Sequence, residues 1–205
     1  MRVLGAVLNA VLVIAYPIGV WLALTRFRPR FVGLLVLAAV VPILVLRFWK
    51  ADREHLVAVL RVPLVILTVL LLGVATDDSR FLLFLPVFIN GALLLTFGSS
   101  LRQDVSLIER FARLQEPDLS AAKQAHCRQA TVAWCVFFFL NAVTAAGMAL
   151  VAPISWWAAY NGGIAYALIG VMFAGEYVVR KYRFRDYGGG LHDRLLSTLF
   201  PPEGS

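Results

Sequence analysis

Charge is what this sequence has least of. Asp, Glu, Lys and Arg make up only 15% of its 205 residues, where an ordinary soluble domain has about a quarter. Apolar residues reach 60% and mean hydropathy is +0.80. The few charges fall in short clusters between apolar runs of about 20 residues, the length that carries a helix across a bilayer. An ordinary soluble domain is thereby excluded. Cysteine is nearly absent too: there are two, Cys127 and Cys135. Eight residues on one predicted helix put them about 12 Å apart, too far for a disulfide. His126 adjoins Cys127, but sequence neighbours point to different helix faces, and no His/Cys/Asp cluster has metal-ligand spacing. Catalytic patterns are missing as well: no Gly-rich phosphate loop, no HExxH, no GxSxG, and no paired carboxylates within an apolar run. No catalytic residue, cofactor or metal is therefore expected.

What is present reads as an all-α, multi-pass transmembrane bundle of about six spans: Val3–Leu24, Phe31–Trp49, Leu56–Thr76, Phe81–Leu101, Ala130–Val151 and Trp156–Val179. Lipid offers no partner for backbone amides and carbonyls, so only helices or a closed barrel can cross it. A barrel needs alternating strands, and these runs are continuous. The first run follows Arg2 and is longer than the apolar core of a signal peptide, so it reads as a retained span. Pro17, Pro42, Pro63 and Pro86 predict kinks rather than span ends. No internal repeat is visible.

Orientation follows the basic residues. With six spans, one side carries Arg2, the Arg47–Arg53 cluster, the basic residues between Arg102 and Arg128, and those of the tail from Arg180 on. The other side has Arg26, Arg28, Arg30 and Arg80, of which three lie in the first loop. The balance predicts both termini in the cytoplasm, in a bacterial inner membrane. Residues 1–180 then form a transmembrane domain with a cytoplasmic loop at 102–129, and 181–205 form a basic, Gly-containing cytoplasmic tail. In the loop, Leu107, Ile108, Phe111 and Leu114 share a helical face, which suits a short helix in the headgroup layer. Glu116-Pro117-Asp118 breaks it, and a new helix is expected from Asp118 or Ser120. The net charge of +7 gathers on the cytoplasmic face. Membrane lipids with anionic headgroups account for it, and no nucleic acid is implied.

Ionisable groups inside spans are functional candidates by default. Arg61 lies near enough to a span end to snorkel. Glu176 precedes Arg180 by one turn, the i,i+4 geometry of a local clasp, and a proton or ion site is the other reading. Asn90, Asn141 and Asn161 are candidate polar intramembrane residues, serving either interhelical packing or a central polar cavity. Thr131, Trp134, Phe138 and Asn141 share one face of the fifth span. Gly163, Ala167, Gly170 and Ala174 form a small-residue ridge on the sixth, where another helix can approach closely. Trp156, Trp157 and Tyr160 fit an interfacial belt. His192-Asp193 reads as solvated surface.

Four segments, LPVFINGALLLTFGSSL (85–101), LIERFARLQEPDL (107–119), WCVFFFLNAV (134–143) and WWAAYNGGIAYALIGVMFAGEYVVR (156–180), together resemble an uncharacterised family of bacterial inner-membrane proteins. Its genes often lie beside fatty-acid-synthase-like and acyl-ligase genes of the kind that make aryl polyenes. A fainter likeness, in the W-x-x-F-F-x-x-x-N stretch and the following W-x-x-Y segment, points to septation-protein-A-type envelope proteins. Arg128-Gln129-Ala130 and the Gly-rich tail depart from the pattern. The resemblance implies an accessory role in making or placing an acyl-type envelope lipid or pigment, with acyl-chain biosynthetic enzymes as partners.

The expected function is thus a non-enzymatic membrane scaffold or accessory protein for envelope-lipid or aryl-polyene-type biosynthesis. A small transporter or lipid translocator and a membrane-embedded lipid-modifying enzyme are the alternatives. A polar cavity with a lateral opening would favour transport, a closed dry bundle scaffolding, and clustered acidic or histidine groups an enzyme. Oligomeric state is left open.

Overall fold

The computed structural model describes residues 19, 21–48, 53–187 and 197–201, with the backbone alone at 43–48 and 53–62. All described regular structure is helical: α1 (Pro29–Phe48), α2 (Arg53–Thr76), α3 (Ser79–Ser100), α4 (Leu107–Arg113), α5 (Ala121–Val151) and α6 (Ile154–Phe184). Within α6, residues Tyr160–Ile164 form a π turn. Three of these helices, α3, α5 and α6, are long and apolar enough to cross a membrane. In α1 and α2 the described apolar stretches, Pro29–Pro42 and Pro63–Thr76, are shorter. The first expected span and His192-Asp193 lie almost wholly outside the described residues, as does the side chain of Arg61.

The outward surface of the long helices argues for lipid. Val136, Phe139, Leu140 and Val143 on α5, and Leu168, Val171 and Val179 on α6, are exposed. Water would penalise the exposed apolar side chains of each unit, whereas lipid does not.

The chain divides into two compact units, Met1–Thr96 with Cys135–Tyr166 and Phe97–Trp134 with Ala167–Ser205. In the first, Val32, Val69, Leu70, Leu82, Leu85, Trp157 and Ala158 form the apolar core. α1 and α2 approach closely at Gly33, where a Cβ would lie 2.7 Å from Val74 Cγ2. The turn from α2 to α3 is built on two aspartates. Asp77 takes the left-handed conformation (φ 53°), which Asp tolerates better than most residues, and its Oδ1 accepts the Arg30 amide of α1 at 2.7 Å. Asp78 Oδ1 accepts the Arg80 amide at 2.9 Å, so both helix starts have a carboxylate on an otherwise orphaned N–H.

Pro42, Pro63 and Pro86 all lie inside helices. Beside the bond that Pro86 removes, the Leu83 carbonyl accepts Trp157 Nε1–H at 2.9 Å. Trp157 also packs in the apolar core and is only 1% exposed, which corrects the belt expectation: Trp157 and Tyr160 are buried, and Trp156 alone is exposed.

In the second unit, Ser120 caps α5, its Oγ accepting the Lys123 amide at 3.4 Å. α4 forms as the amphipathic pattern predicts, but the face divides. Phe111 and Leu114 are exposed, while Ala112 packs with Leu119, Cys127 and Ile108. Glu109, expected among the polar residues, is buried and held by the Arg113 guanidinium at 2.7 Å. Arg128 donates to the Leu101 carbonyl at 2.6 Å, placing a cation at the negative end of α3.

Candidate functional site

The asparagines sort into a network and a bystander. In the first unit, Asn141 Nδ2 donates to Asn90 Oδ1 at 3.0 Å, and Tyr160 Oη donates to Asn141 Oδ1 at 2.6 Å. Asn90 Nδ2 donates to its own helix at the Pro86 carbonyl, 2.8 Å away. All three side chains are buried. The network joins α3, α5 and α6 with each member partnered, so it reads as a tie and not as a pore lining. Asn161 is buried but bonds only to the Trp157 carbonyl of its own helix, at 2.9 Å.

Among the described residues, nothing approaches the small-residue ridge closely. A Cβ at Gly163 or Gly170 would meet nothing within 4 Å, and Ala167 and Ala174 are exposed. The glycines at tight contacts are Gly33 and Gly73 instead, the latter with Phe81 Cβ 3.2 Å from an added methyl.

The Glu176–Arg180 clasp is not formed. Glu176 Oε1 faces His126 Nε2 of α5 at 3.8 Å, and no hydrogen bond or ion pair holds Arg180 among the described residues. The spacing permits the clasp, but tertiary packing turns the carboxylate to the neighbouring helix.

His126 and Glu176 stand at the polar end of a groove between α5 and α6 in the second unit, about 750 Å³ in volume. Gln129, Glu176 and Arg183 surround this end, and Ala130, Ala133, Trp134, Val171 and Met172 line the rest. α5 rises through it from His126 to Trp134, about 12 Å. Trp134 closes the apolar end against Phe173, ring centroids 4.8 Å apart, and Phe97, 6.4 Å apart. Thr131, Trp134, Phe138 and Asn141, placed on one α5 face by their spacing, are all buried.

Arg183 organises the polar end. Its Nη1 donates to Gln129 Oε1 at 2.6 Å and approaches His126 Nδ1 at 3.4 Å. A guanidinium can only donate, so Nδ1 is the accepting nitrogen and the neutral ring carries its proton on Nε2. That N–H is buried, has no hydrogen-bond partner among the described residues, and stands beyond bonding distance of Glu176. In this tautomer Nε2 is a hydrogen-bond donor. The groove therefore offers donors and one carboxylate at one end and hydrocarbon at the other, which suits an amphiphile.

His126, Gln129 and Arg183 were not singled out by sequence spacing. The available signal was the repeat of Glu176, Val179 and Arg183 on one face of α6, opposite the His126, Gln129 and Ala133 stripe of α5. Cys127 and Cys135 form no disulfide, and no His/Cys/Asp/Glu group among the described residues could hold a metal ion. No protein family, curated protein or solved structure matches this chain, so the groove's own chemistry has to carry the functional reading.

Proposed function

We propose that this chain is a six-span inner-membrane accessory protein, without catalytic activity of its own, that holds an acyl amphiphile at the cytoplasmic leaflet for enzymes of envelope-lipid or aryl-polyene-type synthesis. The observation that carries the reading is the α5–α6 groove: a hydrocarbon-lined slot whose Trp134 end lies among residues of span character and whose His126–Arg183 end lies among the charges. An acyl chain enters such a slot from the side without exchanging lipid for water. The self-satisfied Asn90–Asn141–Tyr160 tie weighs against transport through the middle of the first unit. The resemblance read from the sequence over roughly residues 80–180 implies the same acyl-lipid setting.

Trp134 reports on occupancy. In nanodiscs, a fatty acid brominated along its chain should quench wild-type tryptophan fluorescence more than that of Trp134→Phe, the difference being the signal from the groove. Gly175 lines the slot, is exposed, and has nothing within 4 Å of an added Cβ, so Gly175→Leu should fill the space and abolish the difference at unchanged thermal stability. Equal quenching in wild type and Trp134→Phe would end the acyl-groove reading.

A further inference from the structure

Arg180, freed from the expected clasp, lines a second, smaller cavity of about 330 Å³ in the second unit, on a neighbouring face of α6. Three cations converge there: Arg180, Lys181 and, from the first turn of α5, Lys123. Two are already held in place. Lys123 Nζ sits 2.8 Å from Glu116 Oε2 and 3.2 Å from Asp186 Oδ2. Lys181 Nζ lies 5.4 Å from the ring centroids of both Tyr177 and Tyr187, a double cation–π contact that fixes its direction. Arg180 makes no hydrogen bond or ion pair among the described residues, so its fork of donors is unspent.

We propose that this cavity binds a phosphoryl group. A guanidinium with free donors meets a phosphate oxygen pair bidentately. Asp186 also lines the cavity and, with Glu116, offsets the charge of Lys123, so the positive potential rests on Arg180 and on Lys181, which donates to the Asp186 carbonyl. The helix dipoles do not decide the sign. α5 offers its positive end at Lys123 and α6 its negative end beyond Arg180, and the two effects oppose, leaving the side chains in control. The volume is at the small end of the range for ligand sites, about 300 Å³ upward, which suits a headgroup and not an acyl chain. Tyr177, Phe184 and Tyr187 wall the site. The inference is independent of the groove, since it uses different residues and a different ligand group.

The same phosphoryl chemistry could arrive on a membrane lipid or from solution, and two arms separate these sources. In one, the protein in phosphatidylcholine nanodiscs is titrated with inorganic phosphate by calorimetry. In the other, nanodiscs containing phosphatidic acid are analysed by native mass spectrometry for retained lipid. Each arm is run on wild type, Arg180→Gln, Arg180→Lys and Arg102→Gln, the last removing one exposed charge outside the cavity. The expected result is binding in at least one arm, weakened at least about tenfold by Arg180→Gln, partly restored by Arg180→Lys, and unchanged by Arg102→Gln. Binding in the phosphate arm alone would identify a soluble source, and in the lipid arm alone a membrane one. Absence of binding in both arms, or equal weakening by Arg180→Gln and Arg102→Gln, would overturn the proposal.

Discussion

Asn141 accepts from Tyr160 while donating to Asn90, so its two side-chain atoms serve two different helices. Asn141→Leu leaves the Asn90 carbonyl and the Tyr160 hydroxyl both buried without that partner, whereas Tyr160→Phe removes one donor and leaves the Asn–Asn bond intact. Interhelical hydrogen bonds in lipid contribute only about 1 kcal/mol, and an orphaned buried polar group costs about 1–3. Asn141→Leu should therefore lose about 2 kcal/mol and Tyr160→Phe less than about 1. Thermal unfolding in detergent checks the order, and equal losses would mean that the asparagine pair contributes nothing beyond the tyrosine bond. At this scale the sequence is half legible. An asparagine in an apolar run announces a buried polar contact, but not its partner. Tyr160 and Trp157 stand near a predicted span end and so resemble belt residues. Only the fold reveals that the Leu83 carbonyl beside Pro86 waits for an indole N–H. Glu176 and Arg180 show the same limit, since i,i+4 spacing permits a pair but cannot say whether a histidine on another helix competes.

Among the elements, the α2–α3 turn is the most constrained. Asp77 has a left-handed backbone and caps α1 across the fold. The two demands can be separated by substitution. Asp77→Asn keeps the tolerated conformation and an accepting oxygen, and should be near neutral. Asp77→Gly keeps the conformation and loses the cap, at about 1 kcal/mol. Asp77→Ala loses the cap and adds about 1 kcal/mol or more for a Cβ in the left-handed region. Melting temperatures should fall in that order, and an alanine variant as stable as the asparagine one would show that the contact contributes nothing. Helix positions from α3 onward follow the apolar runs closely, because length and hydropathy are summed over many residues. Helix contacts are less legible. The 4-3-4 spacing of Gly163, Ala167, Gly170 and Ala174 marks a surface that can be approached, yet the described residues bring nothing to it. Gly33, an unremarkable glycine near the start of an apolar run, is where two helices meet.

For the molecule as a whole, the described surface establishes three helices fit to cross a membrane, and the six-span arrangement with both termini cytoplasmic belongs to the proposal. Reporter fusions after Arg30, Arg80 and Pro153 should read as periplasmic, and fusions after Gln115 and Gly190 as cytoplasmic. A periplasmic signal after Gly190 would remove one crossing among the first three apolar runs and turn the groove's polar end to the other compartment.

The length of α5 has one more consequence. Its 31 residues extend about 46 Å, well beyond a hydrocarbon thickness of about 30 Å. The surplus is not shared between the ends. Lys123, Gln124, His126, Arg128 and Gln129 crowd the first turns, while the last turns to Val151 carry no charge. In a bilayer, the charged end of such a helix would be held at one leaflet. In a thicker or thinner bilayer, hydrophobic mismatch would be absorbed at the Val151 end by tilt or local deformation. The mouth of the groove beside His126 would then stay level with the headgroups whatever the bilayer thickness.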